Sequence, residues 1–144
     1  MSRTLYALAL ASGLAACTKP LAPRDYDPGT PCAQCKMLID RRETVSQTID
    51  EHGNTAYFDD LRCLFAALAN DQGRLARSEV YVTDHDRLVW MRATEARFCE
   101  STEATPMASG LLAYSGARPV ACSGDEVQDF AQARAAFGAA GATQ

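Results

Sequence analysis

Thr55-Ala56-Tyr57-Phe58-Asp59-Asp60-Leu61-Arg62-Cys63-Leu64-Phe65-Ala66-Ala67-Leu68 changes its period in the middle, and that change decides the fold. Thr55 to Phe58 is short, aromatic and strand-like, and the turn residues Glu51-His52-Gly53-Asn54 precede it. A helix is expected to start at Asp59 or Asp60. From there Leu61, Leu64, Phe65 and Leu68 recur at i, i+3, i+4 and i+7, one apolar face, and Gly73 supplies the stop. Upstream, Lys36 to Ile39 and Val45 to Ile49 read as strands. The first half of the chain is thus an amphipathic helix laid on short strands.

The second half repeats the scheme. Glu79 to Thr83 and Leu88 to Arg92 bracket the polar turn Asp84-His85-Asp86-Arg87, and Arg97 to Cys99 and Leu111 to Tyr114 add strand-like runs. Ser123 and Glu126 form an S-x-x-E capping box, followed by a stripe of Val127, Phe130, Ala131 and Phe137. From Gly138 onward the small residues have nothing to bury, so 139–144 reads as a disordered tail. The expectation is an α+β fold, one small domain of two ββα-like halves, each with short antiparallel strands and one amphipathic helix, over 31–138.

Ahead of that domain, Arg3, the apolar run Leu5 to Ala16 and the lipobox Leu14-Ala15-Ala16-Cys17 read as a lipoprotein signal over 1–16 with lipid attached at Cys17. The plainer alternative is an ordinary secretory cleavage site. The apolar run is shorter than the roughly 18 residues of a membrane span. Residues 17–30 hold Pro20, Pro23 and Pro28 and little apolar content, which suggests a tether. The thirteen residues from Thr18 to Thr30 reach roughly 40 Å at about 3.1 Å each. Export to the periplasmic side of the envelope follows, with a lipid membrane as one partner, and Thr18 leaves open which membrane. Losing Arg3 from the 14 Lys and Arg leaves 13 basic against 18 acidic residues, net −5, without a basic run. Nucleic acid is therefore not an expected partner.

Cys17 aside, five cysteines remain, Cys32, Cys35, Cys63, Cys99 and Cys122, and an odd number cannot all pair within one chain. Cys32-Ala33-Gln34-Cys35-Lys36-Met37 puts two thiols and a thioether within six residues, a donor set that suits Cu(I), which prefers sulfur and tolerates low coordination. Haem attachment would need His where Lys36 stands. A thioredoxin-like exchange site would need a long helix after Cys35, which the charged and short Lys36-Met37-Leu38-Ile39-Asp40 does not offer. Thiol–disulfide exchange stays as the alternative function, and a structural Cys32–Cys35 bridge as the plainest reading. Cys63 lies opposite the leucine stripe in the first helical turn, where free amides and Arg62 would lower its pKa; compact filling is the rival account. Met107 sits in the loop Thr105-Pro106-Met107-Ala108-Ser109-Gly110 as an unattached thioether able to complete a Cu(I) site. Met91, beside Trp90, reads as core. His52 and His85 read as surface turn residues. Cys99 and Cys122 are expected to form a disulfide that pins the last helix to the sheet, with two separate buried thiols as the alternative. No catalytic acid/base pair or hydrolytic triad is visible, so no enzyme is expected.

These stretches, together with Tyr57 to Cys63, Val80-Tyr81-Val82-Thr83-Asp84, Trp90-Met91-Arg92-Ala93 and Thr105 to Tyr114, resemble the NosL family, copper-binding lipoproteins that accompany nitrous oxide reductase. The resemblance spans nearly the whole mature sequence. It implies a compact α+β fold and a copper chaperone for maturation of the reductase's copper centre. It also implies Cu(I) carried by Cys35, Met37 and Met107, with Cys32 and Cys63 as nearby candidates. The partners it implies are apo nitrous oxide reductase or another exported copper enzyme, and a membrane transporter complex. Cys99 and the segment 116–125 holding Cys122 lie outside that pattern.

Overall fold

A computed structural model of the chain describes residues 21–141 except Gln72 and Arg74. The expected signal 1–16 and Cys17 lie outside the described residues, as does the end of the expected tail. Among the described residues the strands and α-helices follow in order: β1 (Ser46–Ile49), β2 (Thr55–Phe58), α1 (Leu61–Asn70), β3 (Glu79–Thr83), β4 (Trp90–Arg92), β5 (Arg97–Glu100), β6 (Leu111–Tyr114) and α2 (Phe130–Gly141). The fold is α+β. The two halves share one antiparallel sheet of order β2-β1-β3-β4, because β3 of the second half pairs with β1 of the first, while β5 and β6 form a separate antiparallel pair.

Alternation across the shared sheet sorts its faces. Phe58 and Val82, with Ala56, Val80 and Met91, join the main core. Gln47 lies opposite Tyr57 on one side and Tyr81 on the other, and Thr83 opposite Trp90, all on the other face. Phe65 of α1 holds the layers together, with its ring 6.0 Å from both Phe98 and Phe130 and 6.4 Å from Phe137. Such aromatic pairs contribute about 0.5–1.5 kcal/mol beyond the area they bury.

The other sheet face is covered by residues 21–27, the segment read as a tether. Arg24 donates its amide to Gln47 Oε1 at 3.0 Å, and Gln47 Nε2 donates back to the Arg24 carbonyl at 2.8 Å. Tyr81 donates its hydroxyl to the Leu21 carbonyl, and Tyr57 to that of Asp25 at 2.9 Å. The Arg42 guanidinium lies 4.6 Å from the Trp90 ring centre and 5.6 Å from that of Tyr26, and pairs with Asp25 at 2.8 Å. Trp90 Nε1 donates to the same carboxylate at 3.0 Å. Gln47 is fully buried in a central strand. Without this strap its amide would lose its partners, at about 1–3 kcal/mol for a buried unsatisfied group.

Three local expectations change. Lys36 to Ile39 is not a strand: Leu38 makes a single bridge to Pro31, and Lys36 takes a left-handed φ of 68°. The closing helix starts at Phe130, not at Ser123. Its capping box is Asp129 and Gln132, each side chain accepting the other's backbone N–H at 2.9 Å. The chain ahead of it is extended, with Ser123 donating to the Glu100 carbonyl and Gln128 exchanging two hydrogen bonds with Phe98. Val127 and Ala131 are therefore exposed, and Ala133 takes the buried place beside Phe130 and Phe137. Finally, α2 runs through Gly141, and Gly138 is buried beside Ala69 and the Phe65 carbonyl.

Cys99 and Cys122 form a disulfide with Cα atoms 5.7 Å apart. With Leu112 and Tyr114 they make a second small core. The β3–β4 turn is tied to the end of β6 by Asp84, whose carboxylate accepts from the amides of Asp86, Arg87 and Ser115 and from the Ser115 hydroxyl. Burial pushes this carboxyl up, but those hydrogen bonds outweigh it and hold it below its usual range. His85, expected at the surface, is mostly covered and held between Asp86 and Glu103 at 2.8 and 3.1 Å. No helix among the described residues is long and apolar enough to cross a membrane.

Candidate metal centre

The centre is assembled from one loop and one helix start. In the loop, Cys32 donates its amide to the Met37 carbonyl at 2.8 Å, Lys36 donates to the Cys32 carbonyl at 3.1 Å, and Ile39 donates to Thr30 at 3.0 Å. The left-handed Lys36 lets the chain reverse after Cys35. Ala33 N–H to the Tyr57 carbonyl, 2.7 Å, fastens this hairpin-like loop to β2. β2 then leads through Asp59 to α1, whose N-cap is Asp60 and whose first turn carries Cys63. The helix therefore begins at Leu61, directly after the expected start at Asp59 or Asp60.

The Sγ atoms of Cys32, Cys35 and Cys63 and a carboxylate oxygen of Asp59 all lie within 4.8 Å of one another. Cys35 points its thiol at Asp59, 3.5 and 3.4 Å from the two oxygens. Cys32, Cys63 and Asp59 are buried, whereas Cys35 is half-buried. All three cysteines are free thiols, so a Cys32–Cys35 bridge is not formed here. No helix follows Cys35, so the feature that activates a thioredoxin-like thiol is missing.

Charge settles on one sulfur. A hydrogen bond from Cys63, against the opposing effect of burial, brings Cys32 down to about 6. That same bond, with burial and the neighbouring charges of Cys32 and Asp59, pushes Cys63 far up. Cys35 is raised to about 11, chiefly by burial and then by Cys32. The expectation of a low-pKa Cys63 is thus corrected: the helix amides and Arg62 are outweighed because Cys63 is the hydrogen-bond donor to the sulfur that ionises first. Once one thiolate exists, further negative charge needs a cation. A thiophilic metal ion would supply it, and the soft donor set favours such an ion over a hard one.

The two methionines are placed differently. Met37 is 44% exposed at the surface of the cysteine loop. Met107 is half-buried and packs on the core cluster that contains Cys32 and Cys63. Met91 also packs on that core from β4, as expected. Neither histidine belongs to the cluster. Asp59 was missed as a site residue. The available signal was the acidic pair itself: one carboxylate caps α1, and its neighbour, only 2% exposed, is left for another task.

A NosL family model matches residues 23–137. Among solved structures, the chain is similar to the copper chaperone NosL from Shewanella denitrificans, at 22% identity and a TM-score of 0.59, over 68% of this chain and 81% of that one. That likeness bears on the fold. No curated protein sequence is matched.

Proposed function

Since the chain belongs to the NosL family, we propose that it carries copper as Cu(I) and hands it to an exported copper enzyme, nitrous oxide reductase or one like it. The convergence of three thiols beside a methionine-bearing loop carries this reading. The similarity to a copper chaperone of the same family supports it. In the proposed site Cys35 is the principal ligand, Met37 and Met107 supply thioethers, and Cys32 and Cys63 complete a reserve of sulfur behind them. Copper is cargo here, so the site must release it as well as hold it. Partial exposure of Cys35 gives an incoming ligand a place to attach before the buried sulfurs let go.

The test is titration of reduced protein with Cu(I), ligand assignment by sulfur and copper X-ray absorption, then incubation with apo nitrous oxide reductase. One sulfur-bound Cu(I) that moves to the apo-enzyme is the expected outcome. A protein that takes up no Cu(I), or never releases it to that acceptor, defeats the proposal. The same reading has the protein held on the periplasmic side through lipid on Cys17. Cys17→Ser is expected to move it from the membrane to the soluble exported fraction with Cu(I) affinity unchanged; retention in the membrane counts against the anchor.

A further inference from the structure

We propose that Asp60 is the positioning residue for Met107, fixing the loop that brings this thioether to the thiolates; the inference rests on the copper-binding reading above. Asp60 is completely buried and divides its carboxylate between two tasks. Oδ1 accepts the Arg62 amide at 2.7 Å and caps α1. Oδ2 accepts the Met107 amide at 2.9 Å, across 47 positions of sequence. Capping alone does not call for this residue: serine or threonine caps a helix about as well and places no formal charge in the interior. The second oxygen is what aspartate adds.

A second contact at this point has the same effect. Arg62, which follows the cap, reaches over to the Met107 carbonyl at 3.4 Å, so both polar groups of the Met107 backbone are held by the start of α1. The loop is closed upon itself, with Ala108 donating to the Thr105 carbonyl at 2.9 Å and Gly110 donating to Thr105 Oγ1 at 3.2 Å. Gly110 has a φ of +60°, and a Cβ there would sit 2.8 Å from the Ser101 carbonyl oxygen. A closed loop moves as a unit, and Asp60 is where that unit is fastened to the helix that carries Cys63. Asp59 and Asp60 then divide the work, one among the thiols and the other behind the thioether.

The experiment compares Asp60→Ser, Met107→Leu and the double variant in the full chain. Serine keeps the cap but is too short, and has too few oxygens, to hold the Met107 amide as well. Asp60→Ser is expected to weaken Cu(I) binding about 10- to 100-fold, the usual cost of losing support behind a metal ligand, and Met107→Leu, which removes the ligand itself, at least as much. The double variant should be no weaker than Met107→Leu alone, because the two changes remove one and the same interaction. In protein labelled at the methionine methyl groups, the Met107 methyl resonance should respond to Cu(I) in the native chain and cease to respond in Asp60→Ser. Native affinity in Asp60→Ser beside a weakened Met107→Leu overturns the inference, as does a double variant in which the two losses multiply. Native affinity in Met107→Leu instead removes the ligand reading itself, a separate failure. Should Asp60→Ser not fold, Asp60→Asn, with one acceptor for two donors, takes its place in the same comparison.

Discussion

Cys35→Ser is expected to weaken Cu(I) binding by on the order of 100-fold or more, because a soft, charge-bearing thiolate is exchanged for a hard hydroxyl. Cys35 is the one thiol of the three with access to solvent, and its sulfur faces both oxygens of the buried Asp59. In the proposed site it would therefore be both ligand and doorway. In the metal-free protein its thiol is raised to about 11 by burial and by the charge on Cys32, so an arriving ion must displace a proton. Apparent affinity should accordingly rise with pH across the neutral range, and rise less steeply in the serine variant. Met37→Leu should cost less, since an exposed thioether brings no charge. Competition with a chromogenic Cu(I) chelator under reducing conditions measures all of this. A Cys35→Ser protein within about threefold of the native affinity would shift the binding role to the buried pair Cys32 and Cys63.

Removing the Cys99–Cys122 disulfide should lower stability by roughly 3 kcal/mol, the loop-closure value for two cysteines 23 residues apart. The bridge fastens β5 to the strand-like run that approaches α2, and it forms the centre of the second small core with Leu112 and Tyr114. Denaturant unfolding of the Cys99→Ser, Cys122→Ser double variant gives the number directly. Copper affinity should not move, since these sulfurs belong to a different cluster from Cys32, Cys35 and Cys63. A loss below about 1 kcal/mol would mean that the unfolded chain is already compact at this loop or that the bridge is strained. A fall in Cu(I) affinity would mean that the two regions are coupled.

The features read correctly from sequence are those set by local period. The leucine stripe located α1, and alternation around polar turns located β1 to β4. What failed depended on partners distant in sequence. Lys36 to Ile39 reads as a strand, yet Leu38 is 64% exposed, and the loop's hydrogen bonds turn Cys32 and Cys35 toward one point. Ser123 and Glu126 satisfied the capping pattern, but β5 holds that stretch extended, and the pair Asp129 and Gln132 performs the same chemistry six residues on. Cys63 does lie in the thiol cluster, but its protonation could not be inferred, because that depends on which neighbouring sulfur ionises first. Asp59 escaped because a carboxylate beside a helix cap looks like part of the cap.

The strap over the sheet changes what a lipid at Cys17 would mean. Only residues 18–20 separate Cys17 from Leu21, whose carbonyl is already bound by Tyr81. Four Cα steps span at most roughly 14 Å when fully extended, about a third of the reach an undocked leader would have. The globular body would then ride at the height of the lipid headgroups, unable to sweep the space above them. An acceptor for its metal would have to bring its own site down to that level, or travel in the same plane. Encounter between donor and acceptor would become a two-dimensional search, governed by lateral diffusion and by which face of the body looks away from the lipid.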